Sequence, residues 1–287
     1  MNREEYMKTT LEFIKLTLVT VGGTLAIMFA LGIASLPAHA FGNNSSDVSN
    51  KKVYHKLVSP KNKNLQWQLV SAEEGHPVRD GKKSWRFELQ EGWCGKDLYK
   101  SGKVKWDDCK MGRYRSEVYS DSMKISGKPF WMSVSIYIPE DYKINTNVSV
   151  SWWQLYQTGK TPVIMLRERN GLITLDMMPS GMTEKTFLLA DVDQMRGKWT
   201  DFKFNIKLQP KEGFVKAWMK NDSVDIYDEW LDAGTIGVVK SKKMLYRMDT
   251  GIYQTYVDRN LGEYYTQVIY VDAFRHSNKE KNVGPRD

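Results

Sequence analysis

FKFNIKL, residues 202–208, alternates apolar and polar side chains without a fault. Phe202, Phe204, Ile206 and Leu208 fall on one side, and Lys203, Asn205 and Lys207 on the other. A period of two is the mark of a strand with one face in a core and one in water. The pattern returns in SWRFELQ (84–90) and in WMSVSIYIP (131–139), which stops at a proline. Less regular forms follow in LQWQLVS (65–71), NVSVSWWQLYQ (147–157), TPVIMLRER (161–169), GFVKAWMK (213–220) and TQVIYVDAFRH (266–276). Gly, Asn, Asp and Pro punctuate the connections, as turns require. The only helix candidate of any length after residue 40 is a weak one at 185–195. Many short strands of this kind predict an all-β domain, a β-sandwich or jelly roll of two antiparallel sheets. No internal repeat is visible.

The N-terminal residues read differently. Charge ends at Lys15, and LTLVTVGGTLAIMFALGIAS runs on to LPAHA. Ala38-His39-Ala40 has the small-x-small form of a signal-peptidase site, so residues 1–40 read as a cleaved export signal. An uncleaved membrane anchor is the alternative, because the apolar run is long enough to span a bilayer. Residues 41–64 are polar and read as a flexible lead-in ending in an early strand. Residues 65–280 form the expected domain, and 281–287 a tail. Secretion, or a periplasmic location, follows from the export reading.

Arg3, Lys8 and Lys15 cancel Glu4, Glu5 and Glu12, so the whole formal charge of +8 sits after residue 40. A basic exported domain attracts polyanions: acidic polysaccharide, nucleic acid or anionic surfaces. No nucleic-acid motif accompanies the charge. Cys94 and Cys109 are the only cysteines. In an oxidising compartment they predict one disulfide around a polar loop, contributing about 3 kcal/mol in the chain-entropy model. Two cysteines without nearby histidines make a poor zinc site.

Three segments place polar groups where a sandwich strand has no need of them. In RYRSEVYS (113–120), Arg113, Arg115, Glu117 and Tyr119 share a face that carries no aliphatic residue. In WQLYQ (153–157), Gln154 and Tyr156 lie opposite Trp153, Leu155 and Gln157. The third is YRMDTGIYQTY (246–256), with Arg247, Asp249, Tyr253 and Gln254. Each also has a plain reading: Arg115 and Glu117 as a wet ion pair worth under about 1 kcal/mol, Gln154 and Tyr156 as ordinary strand residues, Tyr253 as a core aromatic with a satisfied hydroxyl. Together, Arg, Gln and Tyr suit β-elimination on a uronic acid. The C5 proton becomes acidic when the adjacent carboxylate is neutralised by a guanidinium and an amide. A phenol can then accept that proton or protonate the departing C4 oxygen.

The ordered set RSEV, Q-x-Y and G-x-Y resembles the jelly-roll polysaccharide lyases, and within them the heparin lyase I-like family, with a weaker similarity to alginate lyases. VRDGKKSWRFEL (78–89), the cysteine-bearing WCG…WDDCKMGRYRSE (93–117), GKWTDFKFNIK (197–207) and TGIYQTY…YTQVIYVDAFRHSN (250–277) extend it over roughly residues 66–277. The resemblance implies a concanavalin A-like sandwich with a concave glycan groove, and a lyase acting on an acidic polysaccharide. It implies Arg115 and Gln154 at the substrate carboxylate and Tyr253 as catalytic tyrosine. Arg113, Glu117, Tyr119, Arg247, Gln254 and Trp153 are then candidate substrate contacts. Two positions depart from the family pattern: its histidine after the glutamine is Tyr156 here, and its lysine before the glycine is Asp249. Tyrosine chemistry must therefore replace histidine, with Tyr253 as base and acid in a syn elimination and Tyr156 assisting. A tyrosine base calls for a phenol pKa below its usual value of about 10, lowered by Arg115 or Arg247.

No cofactor is expected. Calcium is compatible with such folds as a structural ion, but no Asp-rich loop offers a site for it. The expected partner is an anionic polysaccharide, with no nucleic acid and no stable protein partner, and the chain is expected to be a monomer. Two other readings stand beside the lyase. A non-catalytic jelly-roll lectin would use the same basic and aromatic residues. A glycoside hydrolase would pair Glu117 with Asp249 or Asp272.

Overall fold

The computed structural model describes residues 54–58, 67–98, 100–120, 122–124, 127–157, 162–178, 184–209, 212–221, 231–232 and 245–286. These belong to one compact unit, residues 43–287. The expected export signal and the larger part of the lead-in lie outside the described residues. Within the lead-in, Tyr54–Val58 forms a strand, β1.

Two antiparallel sheets face each other, as the alternation predicts. The larger contains β1, β6 (Arg113–Ser120), β16 (Leu245–Thr255), β9 (Ser149–Gln157), β10 (Pro162–Arg169), β11 (Leu172–Met177) and β12 (Lys185–Asp191), in that spatial order. A two-residue strand, β7 (Met123–Lys124), pairs with the start of β16. The second sheet runs β15 (Leu231–Asp232), β14 (Phe214–Lys220), β13 (Lys198–Lys207), β8 (Phe130–Ile138), β17 (Gln267–Ser277), β3 (Lys83–Leu89) and β2 (Trp67–Ser71). A small hairpin, β4 (Lys96–Leu98) with β5 (Val104–Asp107), stands apart. Neighbours in sequence are often not neighbours in space, as in a jelly roll.

The apolar halves of the strands meet between the sheets. Phe202, Phe204 and Ile206 of β13 are buried there, while Lys203 and Lys207 face solvent. Trp153 of β9 stacks on Phe204 across the interface, ring centroids 4.7 Å apart and planes within 6°. Trp85 meets Phe87 and Phe274 edge-on, the geometry that aromatic quadrupoles favour.

The helix candidate at 185–195 is not a helix. Lys185–Asp191 is the edge strand β12, paired with β11, and only Val192–Gln194 makes a single 3₁₀ turn. Asp191 and Gln194 cap that turn reciprocally, so side-chain capping ends the strand. Among the described residues, no helix is long and apolar enough to cross a membrane.

Candidate active site

The outer face of the larger sheet is where the polar segments meet. Register places Tyr253 beside Arg115, Gly251 beside Glu117, and Asp249 beside Tyr119 across the β6–β16 pair. On the other flank of β16, Asp249 lies beside Gln154 and Arg247 beside Tyr156. Arg115, Glu117, Tyr119, Gln154, Tyr156, Arg247 and Tyr253 thus converge on three adjacent strands. A bulge between Thr250 and Tyr253 shifts β16 against β9 at this point. It needs Gly251, whose φ of 133° is left-handed territory, and a Cβ there would collide with the Ser116 carbonyl.

The site has two layers. Below are the carboxylates Glu117 and Asp249, 1 % and 2 % exposed, together with Gln154 at 3 %. Above lie guanidiniums and rings. Asp249 holds Arg247 through Nε and Nη2 at 2.9 and 3.0 Å. The guanidinium lies between the rings of Tyr119 and Tyr156, 4.7 and 4.6 Å from their centroids. Arg115 is gripped by Asp108, with Nη2 to Oδ1 at 2.8 Å and Nε to Oδ2, and it reaches Glu117 at 3.4 Å. The rings of Tyr253 and Trp106 cover it at 4.5 and 5.1 Å. Gln154 Nε2 donates to Glu117 Oε1 at 2.7 Å. Arg113 and Thr255 continue the same face, half-buried.

Asp108 and Trp106 come from the loop closed by the Cys94–Cys109 disulfide. Its backbone is tied at both ends. Asp108 N–H donates to Gly95 O, and the N–H groups of Met111 and Arg113 donate to Asp108 O. Arg115 N–H donates to Trp93 O. Sequence reasoning missed Asp108 and Trp106. The signal that could have found them was the adjacency of Asp108 to a bridged cysteine.

Burial raises the Glu117 carboxyl, and Asp249 adds to that while Arg115 and Gln154 oppose it. Asp249 is raised by its own burial, against the pull of Arg247. Burial works against the Arg115 charge, but Asp108 and Glu117 outweigh it and its pKa rises. Tyr253 departs from the sequence expectation. Its phenol is raised rather than lowered, because burial outweighs the favourable field of Arg115 and Arg113.

Two expected contacts lie elsewhere. Trp153 is fully buried against Phe204, and Gln254 is buried on the core side, where Nε2 donates to Gln267 and Oε1 accepts from Tyr264. Each is the immediate neighbour of a residue on the outer face, and adjacent strand residues point to opposite faces. Asp272 sits in the other sheet, accepting from the backbone of Arg79, Asp80 and Ala273. A depression of about 420 Å³ lined by Trp67, Gln68, Glu74 and His76 opens at the edge of that second sheet and contains none of the convergent groups. Among the described residues, no cluster of three or more His, Cys, Asp or Glu could hold a metal ion.

The fold is a two-sheet β-sandwich. Residues 44–275 match the family model described as polysaccharide lyase, so the chain belongs to that family and is a lyase of polysaccharides. Among solved structures, the catalytic domain of a GH131 β-glucanase from Podospora anserina shares the fold at 10% identity and TM-score 0.51, over 79% of this chain and 86% of that one. A family 7 alginate lyase A1-II′ in complex with product is 12% identical at TM-score 0.46, over 75% of this chain and 95% of that one. The alginate lyase of Klebsiella pneumoniae is 10% identical at TM-score 0.46, over 69% and 82%. No curated protein sequence matches the chain.

Proposed function

We propose that the enzyme cleaves a uronic-acid-containing polysaccharide by β-elimination on the outer face of the larger sheet. The observation that carries this reading is the layered pairing of guanidiniums with phenol rings above buried acids. Arg113, Arg115 and Arg247 bring three positive charges, against Asp108 and Asp249. Glu117, with its raised pKa, adds little negative charge near neutrality. The balance is positive, which suits a substrate carboxylate. Asp249 takes Nε and Nη2 of Arg247, which leaves Nη1 for that carboxylate. Arg115, held by Asp108 and Glu117, supplies a fixed positive field beside Tyr253 rather than a swinging contact. Gln154 holds Glu117 in place.

Tyr253 is the proton carrier. Its phenolate oxygen takes the proton from C5, and the electron pair forms the C4–C5 double bond as the C4–O bond breaks. The same hydroxyl then returns the proton to the departing oxygen, on the same side of the ring. Arg115, 4.5 Å from the ring centroid, stabilises the transient phenolate. Tyr156 flanks the sugar on the far side of Arg247.

The test is ultraviolet absorbance of the new double bond during incubation with glucuronan, alginate, heparin, heparan sulfate and pectate. Absorbance grows with at least one polyuronate. Tyr253→Phe lowers kcat at least about a hundredfold, while retention in affinity electrophoresis stays close to that of the parent. Retention with no absorbance on any substrate would overturn elimination and leave a glycan-binding module.

A further inference from the structure

Two rows of residues cross the larger sheet side by side. One reads Arg115, Tyr253, Ser151, Arg167, Thr174, each directly opposite the next on β6, β16, β9, β10 and β11. The other reads Arg113, Thr255, Ser149, Arg169, Leu172 on the same five strands. One arginine pair therefore stands on β6 and another on β10, and only hydroxyl-bearing side chains lie between them. Three strand steps separate the pairs, roughly 14 Å.

The distal pair is built like the proximal one. Below Arg167 and Arg169 lies Asp176, 0 % exposed, which accepts from Arg167 Nη1 at 3.0 Å and pairs with Arg169 Nη2 at 2.9 Å. Its other oxygen, Oδ1, is buried without a hydrogen-bond partner. Ser151 and Ser149 accept from the Nε atoms of Arg167 and Arg169, both at 3.3 Å. Among the described residues, the other anion on the pair is Glu184, 37 % exposed, at 3.1 Å from each guanidinium. Two arginines fixed from beneath by a buried acid, with an exposed carboxylate as their outer counterion, make a place where an incoming oxyanion can exchange for that counterion.

We infer that Arg167 and Arg169 form a second anion subsite for the polysaccharide, binding a carboxylate or sulfate of the glycan about two strand steps, roughly 10 Å, from Tyr253. The polymer then lies across the strands from β6 to β10, passing over the half-buried Thr255, while the buried Ser149 and Ser151 hold the distal guanidiniums from below. The inference rests on the outer face being the elimination site. Its consequence is that oligosaccharides long enough to reach the distal pair bind better than shorter ones.

The experiment compares kcat/KM for a long and a short oligosaccharide of the polyuronate that responds, in the parent enzyme, Arg169→Ala and Arg169→Lys. The advantage of the long substrate shrinks about tenfold in Arg169→Ala, equivalent to one charge-assisted hydrogen bond, and the loss lies in KM. Arg169→Lys, which keeps a cation above Asp176, loses less. A parallel series on heparin shows whether a sulfate is the better occupant. An undiminished long-chain advantage in both variants overturns the inference. If no substrate is cleaved at all, elimination fails by itself. Affinity electrophoresis then decides the subsite: weaker retention of Arg169→Ala on immobilised polyuronate sustains it, and equal retention sinks it.

Discussion

A phenol with a raised pKa holds its proton at neutral pH, and Tyr253 is such a phenol because burial outweighs Arg115 and Arg113. In the proposed role of base, it acts only in the small deprotonated fraction. That fraction grows as pH rises toward the phenol pKa, above about 10. The expected profile of kcat/KM therefore climbs through the alkaline range with no plateau at neutrality. A stopped assay at graded pH reads it, and a rate that falls above pH 8 would exclude Tyr253 as base. The placement of the outer-face residues was legible in part. Arg115, Gln154 and Tyr253 could be placed together because a period of two puts them on one side of their strands. Trp153 and Gln254 were misplaced although the same rule, applied to their neighbours Gln154 and Tyr253, sends them to the core. Trp106 covers Arg115 and Asp108 anchors it, and no local pattern announces a contact made by a separate loop.

Among elements, the disulfide-closed loop has the most direct line to the chemistry. Its covalent closure contributes about 3 kcal/mol in the chain-entropy model. It also carries Asp108, the main anchor of Arg115. Reduction thus acts twice, lowering the melting temperature and loosening the guanidinium beside Tyr253. For a domain of this size the first effect is on the order of 6–12 °C. At a temperature well below melting, the reduced enzyme loses activity while circular dichroism still reports intact sheets. Activity that tracks only the unfolded fraction would separate the loop from the site. The strands themselves were readable wherever alternation was clean, as in 202–208 and 84–90. β11 and β12 were not read: Asp176 and Thr174 interrupt the apolar run of one, and the TFLLA of the other, whose Leu and Ala favour helix, pairs as a strand on the edge of β11.

For the molecule as a whole, acidity is a stabilising condition over one window. Burial raises the Glu168 carboxyl to about 7, against the opposing Gly171 N–H, which it accepts at 2.7 Å. A folded-state pKa above the unfolded value means that the native protein binds this proton more tightly. The contribution is complete below the unfolded value of about 4.5, and it is lost as pH rises through about 7. Its size is on the order of 3 kcal/mol. Glu168→Gln keeps an acceptor for Gly171 and carries no ionisable group. Denaturant midpoints between pH 4.5 and 8 should decline less steeply in that variant, and parallel curves would remove Glu168 as the cause. Asp272, raised to about 6 by burial, adds in the same direction.

The order of strands has a consequence for how the chain comes to be folded. β16 lies between β6 and β9 in one sheet, and β17 lies between β8 and β3 in the other. Both central places are thus filled by residues 245–277. Neither layer can close while those residues are still inside a ribosome. Until then the earlier strands have exposed edges and no partner between them. Synthesis from the N-terminus therefore leaves both sheets open until residues 245–277 have emerged, and chaperones must shield the unpaired strands until then.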